Sequence, residues 1–154
     1  MINSLSRARS KKKKGAINIF IILITFLTVA VFTDLLKDKI YNFWVVPGFV
    51  TGLAASYLQG PERFAGSLQA VGAALIILLP IYLIKGIAAG DIKLFVSAAS
   101  FLTMQETITC ILISFLIAGA ISVAVIILKR NKQKTIHFAV PVLASVLFLL
   151  GGAI

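Results

Sequence analysis

The sequence is poor in charge and nearly empty of acid. Charged residues make up 13% of its 154 positions, against about 25% in a soluble domain. Its five acids are Asp34, Asp38, Glu62, Asp91 and Glu106. That shortage argues against a water-soluble globular domain. There is one cysteine, Cys110, and one histidine, His137. A single cysteine excludes a disulfide within the chain and a cysteine-rich metal site. Because Cys110 lies inside an apolar run, it reads as a packing residue. No internal repeat appears, and no low-complexity tract beyond a run of lysines.

What fills the chain is hydrophobic: 60% of residues, gathered in long blocks instead of alternating or amphipathic patterns. Such blocks read as an integral membrane protein. Lipid offers no hydrogen-bond partners, so the spans are expected to be helices. The prediction is an all-α, polytopic membrane protein with about six transmembrane helices. The spans run from Ala16 to Thr33, about Phe43 to Leu58, Ser67 to Ile84, about Ile87 to Thr103, Thr107 to Leu128 and Phe138 to Ile154. The second and fourth are marginal against the roughly 17 to 20 residues a crossing needs, so tilted or re-entrant forms stay open for both. Residues 1–15 form a basic tail, and residues 16–154 one membrane-embedded domain. The first apolar run is too long for a typical signal core and no small-residue cleavage site follows, so it reads as the first membrane helix. Pro47, Pro80 and Pro141 should kink or start helices. Gly66, Gly72, Ala73, Ala74, Gly119 and Ala120 suit close helix packing.

The net charge of +10 is clustered. Six basic residues lie in Arg7 to Lys14 and four in Lys129 to Lys134. Both clusters abut apolar spans, so the expected partner is the headgroup region of the lipid bilayer, not nucleic acid.

The acids divide into two kinds. Glu62 and Glu106 read as solvated loop charges. Asp34 closes the first span directly, and Asp91 falls about 6 Å inside the fourth if that span starts near Ile87. Two spans separate Asp34 from Asp91, and two crossings return the chain to the same face. Both carboxylates are therefore expected at one depth on one side. Ionisable groups in a membrane cost several kcal/mol unless paired or functional. Two acids close together in a low-dielectric site share a proton, as the carboxylates of an aspartic protease do. A proton-coupled transporter also uses carboxylates. Simple pairing with Lys37 and Lys93 at the interface is the third option.

The words around these acids carry a family resemblance. TDLLKDKIYN, Thr33 to Asn42, resembles the first catalytic segment of type IV prepilin peptidases. There an aspartate closes a membrane helix, and a triplet of the Ile-Pro-Asn kind follows about six residues later. Here the triplet is Ile40-Tyr41-Asn42, with Tyr41 in place of proline, and the spacing selects Asp34 over Asp38. AAGDIKLF resembles the second segment, Gly-x-Gly-Asp-x-Lys. Gly90, Asp91 and Lys93 match it, and Ala88 replaces the first glycine. HFAVPVL, His137 to Leu143, faintly resembles the family's late proline segment. Presenilin-like enzymes share a Gly-x-Gly-Asp segment, but Lys93 and the Ile40-x-Asn42 pattern favour the prepilin peptidases. The likeness runs from about Phe32 to the C-terminus and is nearest to short forms that process tight-adherence pilins and archaeal preflagellins.

The resemblance implies a membrane aspartyl endopeptidase that removes the leader peptide from type IV prepilin-like precursors. It implies catalytic roles for Asp34 and Asp91, and substrate-binding or site-shaping roles for Asn42, Gly90 and Lys93. It implies no metal and no cofactor, no N-methylation activity, and a site at the cytoplasmic face of the cell membrane. The charge count is neutral on sidedness: Lys and Arg number eight on the aspartate side and seven on the other. A small proton-coupled transporter and a non-catalytic pilus or secretion assembly protein are the alternatives.

Overall fold

The computed structural model describes residues 2–37, 42–129 and 138–153. Six helices follow one another: α1 (Ile2–Lys37), α2 (Asn42–Leu58), α3 (Pro61–Leu83), α4 (Ala89–Ala99), α5 (Met104–Lys129) and α6 (Ala139–Ala153). No strand occurs among the described residues. The segments Ile17–Leu36, Pro61–Leu83 and Met104–Val125 are long and apolar enough to cross a membrane, and Ala139–Gly151 is a shorter apolar helix.

Five helices close a ring in the order α1, α2, α3, α5, α6 and back to α1, and α4 touches all five. Among the described residues no helix of the ring touches another across it. The short helix is therefore the hub. Its 11 residues span about 16 Å, roughly half of a 30 Å hydrocarbon core. Such a helix, flanked by irregular backbone, is tolerated at membrane depth only when protein surrounds it. Leu94, Phe95, Ser97, Ala98 and Ala99 are all buried, as are Ser100, Phe101 and Leu102 beyond its end. Phe95 stacks on Phe115 of α5 and meets Phe138 edge-on. The outer surface is the inverse of a soluble protein's. Phe43, Leu58, Ile76, Leu116, Ile127 and Phe148 are each more than two-thirds exposed, and lipid is the solvent that tolerates this.

Helices α1 and α2 run antiparallel, and so do α5 and α6, as their cross-links show, whereas α3 and α5 run parallel, their starts joined by Arg63 and Glu106. Trp44 Nε1 donates to the Phe26 carbonyl (3.2 Å) and Gln59 Nε2 to the Gly15 carbonyl (2.7 Å). Between α5 and α6, Ser114 donates to Ser145 Oγ (2.8 Å), which also meets Cys110 Sγ. Cys110 is thus a buried packing residue, as expected.

Several boundaries differ from the sequence reading. Helix α1 continues back through the basic segment to Ile2, because Lys and Arg are good helix formers and nothing there breaks the pattern. Helix α3 starts at Pro61, not Ser67. Gly60 takes φ 119°, Pro61 opens the first turn, and Glu62 and Arg63 belong to that turn. Glu106 likewise sits in the first turn of α5 and is no loop charge. Its Oε2 accepts from the Thr103 N–H (2.7 Å) and lies 3.8 Å from Arg63 Nη2. Pro47 and Pro80 lie inside α2 and α3. Close helix approach falls on different glycines from those expected. Gly66, Gly72 and Gly119 face open space, whereas Gly48 and Gly52 press on Phe26 and on Ser100 and Phe101.

This topology makes a labelling prediction. In a Cys110→Ser background, cysteines at Leu36 and Ile84, both well exposed, should react with an impermeant maleimide from one side of the membrane. A cysteine at Glu62 should react from the other. Labelling of all three from one side contradicts the antiparallel order.

Candidate active site

Two helix ends, of α1 and α3, and two helix starts, of α2 and α4, meet at one end of the bundle. Asp34 lies in the last turn of α1 and is 7% exposed. Asp91 lies in the first turn of α4 and is half-buried. The two carboxylates are near enough for their charges to interact. The parity argument from the sequence, two crossings and one shared face, agrees with this.

Local structure explains how Asp91 is presented. Helix α3 ends in a turn in which the Lys85 N–H donates to the Tyr82 carbonyl and the Gly86 N–H to the Ile81 carbonyl, both 2.8 Å. Lys85 takes φ 58°. This crossed pair satisfies carbonyls that the helix end leaves open and turns the chain toward α4. Helix α4 begins at Ala89, two residues later than the expected span. Asp91 is therefore in the first turn, and its Oδ2 accepts from the Ala88 N–H (3.1 Å). The carboxylate folds back over its own helix start, satisfying one orphan donor. Gly90, half-buried, lies between them in that turn.

Lys93 and Asn42, flagged separately in the sequence, are partners. Lys93 Nζ donates to Asn42 Oδ1 (2.9 Å) and so ties the first turn of α4 to the first residue of α2. The bond joins residues 51 positions apart and ties the start of α2, the helix that follows Asp34 in the chain, to the helix that carries Asp91. Asp38, Ile40, Tyr41 and His137 lie outside the described residues. Among the described residues no group of three or more His, Cys, Asp or Glu is arranged to hold a metal ion.

Sequence reasoning missed a second polar cluster, at the far end of α4. Ser67 donates to Ser56 Oγ (2.6 Å), which donates to the Ser100 carbonyl (3.1 Å). Arg63 Nη2 donates to the Phe101 carbonyl (3.0 Å). Its signal was an arginine beside a helix-starting proline in a chain with few other cations away from its two clusters.

No curated protein and no solved structure matches the chain. A model of the type IV leader peptidase family matches residues 21–123, about two thirds of the chain, a stretch that includes Asp34, Asn42, Gly90, Asp91 and Lys93. With that match, the ring of apolar helices and the paired acids on one face fall into place: the chain belongs to the type IV leader peptidase family and is a multi-pass membrane peptidase.

Proposed function

We propose that this protein is an aspartyl endopeptidase that removes the leader from prepilin-like precursors, with Asp34 and Asp91 as its catalytic pair. The observation that carries this reading is the placement of two carboxylates, Asp34 in the last turn of α1 and Asp91 in the first turn of α4, on touching helices at one end of the bundle. In the reaction, one carboxylate takes a proton from water while the other, protonated, donates to the scissile carbonyl oxygen. The water oxygen bonds to the carbonyl carbon and forms a tetrahedral intermediate. Collapse breaks the C–N bond, and the leaving amine takes the proton first drawn from water. The products are a free carboxyl on the leader and a free amine on the mature pilin.

The family match supports a prepilin-like substrate. Its leader would meet the acids at the membrane face, and its apolar helix would lie against the lipid-facing surface. We place this face on the cytoplasmic side. Asn42 and Lys93 would hold the starts of α2 and α4 together around the reacting acids. Gly90, which carries no side chain, would let substrate backbone approach.

The test uses purified protein in detergent mixed with a prepilin that retains its leader. Detergent abolishes any gradient, so hydrolysis is scored and transport is not. One new band, from cleavage at a single bond, is expected. Failure to cleave every cognate prepilin, together with acid-dependent proton flux in proteoliposomes, would overturn the reading in favour of a transporter.

A further inference from the structure

We propose that Arg63 is a positioning residue for Asp91, acting through α4 from the opposite end of the bundle. The proposal rests on the reading of Asp91 as a reacting acid. Its physical content is that α4 is a strut whose axial position is set in part by hydrogen bonds at its far end.

Apolar packing and hydrogen bonds share the task of fixing that position. Phe95 and Phe101 stack on Phe115 and Phe26, but the fully buried residues between them are small: Ser97, Ala98, Ala99 and Ser100. Contacts between small apolar groups are non-directional, so there they oppose separation more than sliding. Directional bonds add to the register. Four come from neighbouring side chains or reach neighbouring backbone. At the site end, Lys93 bonds Asn42. Midway, the Ser97 hydroxyl donates to the Val45 carbonyl of α2 (3.2 Å). At the far end, Ser56 holds the Ser100 carbonyl and Arg63 the Phe101 carbonyl.

The far-end pair meets a specific need. The last carbonyls of a helix have no partner within it, and Ser100 and Phe101 are fully buried, out of reach of solvent. An unmade hydrogen bond there costs about 1–3 kcal/mol. A guanidinium satisfies the carbonyl and also opposes the negative end of the helix dipole. Arg63 is itself anchored. It stands in the first turn of α3, 3.8 Å from Glu106 of α5, and Glu106 grips the Thr103 N–H. One arginine thus gathers α3, the end of α4 and the start of α5. Asp91 lies at the other end of a rigid helix about 12 Å long from Asp91 to Ala99. A shift of the far end displaces its carboxylate relative to Asp34 by a similar distance.

The test compares Arg63→Met and Arg63→Lys in the full chain, purified and shown folded by detergent melting. Misplacing a reacting group by about 1 Å costs on the order of 100-fold, so Arg63→Met should lower kcat for leader cleavage by about tenfold or more while KM stays near wild type. Arg63→Lys, which keeps a cationic donor for the Phe101 carbonyl, should recover most of the rate. A second readout needs no catalysis. With Cys110→Ser, a cysteine at Ala88 should change its maleimide labelling rate several-fold in Arg63→Met, while one at Ile84 should not. Wild-type kcat and unchanged labelling at position 88 in folded Arg63→Met would overturn the proposal. If Arg63→Met does not fold, Ser56→Ala removes the neutral bond at the same end. It should lower kcat to a smaller degree at constant KM, and a full wild-type kcat in that variant also overturns the proposal. If wild-type protein cleaves nothing, the peptidase reading fails by itself, and the labelling at position 88 still decides whether Arg63 sets the position of α4.

Discussion

Asp91→Asn is expected to abolish leader cleavage, and Asp34→Asn to do the same, each by about 10³-fold or more, since neither variant retains an acid–base pair. Asparagine matches aspartate in volume, so the protein should still insert and melt normally. At Asp91 the amide oxygen can still accept from the Ala88 N–H, which preserves the helix start. The loss is then chemical, not structural. On the proposed mechanism the two carboxylates act as one unit, so the double variant should be no worse than either single one. Asp38→Asn should keep most activity, because the spacing to Asn42 selects Asp34. The assay is leader loss on a gel with purified components. An active Asp34→Asn beside a dead Asp38→Asn would show that the first segment is aligned on the wrong aspartate.

The existence of six helices was legible because each apolar block stands between polar or glycine-rich breaks. Their ends were less so. Glu62 read as a loop charge, yet Pro61 opens a helix there and carries it, with Arg63, into the first turn. The error came from treating charge as evidence of a loop, when the first turn of a helix commonly holds charge. The same error hid Glu106, whose partner Arg63 lies 43 positions away. Helix α1 runs back into the basic segment before Gly15, because a change of composition does not by itself end a helix.

The hub position of α4 was not legible. Hydrophobicity in a membrane protein marks both the lipid-facing and the protein-facing sides, so periodicity does not reveal which helix is enclosed. The run of small residues from Ser97 to Ser100 was the available sign, since lipid-facing surface gains nothing from small side chains. For the site, parity of crossings placed Asp34 and Asp91 on one face, and motif spacing named Asn42 and Lys93. That Lys93 and Asn42 hold each other is a tertiary fact. It depends on how α2 and α4 turn about their axes, and no spacing between residues 51 apart encodes it.

Gly52→Ala should destabilise the bundle strongly for a single added methyl. Gly52 lies on the face of α2 that meets the end of α4. A Cβ there would run into the Ser100 hydroxyl and come within 2.8 Å and 2.9 Å of Phe101 ring carbons. Neither neighbour yields easily. Ser100 Oγ is bonded to the Ser97 carbonyl (2.7 Å), and Phe101 is fully buried and stacked on Phe26. Overpacking of this kind costs about 1–3 kcal/mol. The gain in helix propensity over glycine returns about 0.5–1 kcal/mol. A net loss of several degrees in detergent melting is expected, with a drop in cleavage as α4 is pushed aside. Gly72→Ala is the matched control. It also lies in a helix but faces open space, so it should melt at or above the wild-type temperature. Adding Ser100→Ala to Gly52→Ala removes the worst clash and leaves the Phe101 contacts, so it should recover part of the lost stability. Equal melting of Gly52→Ala and Gly72→Ala would mean that α2 and α4 do not approach this closely, and the hub arrangement of α4 would fall with that contact.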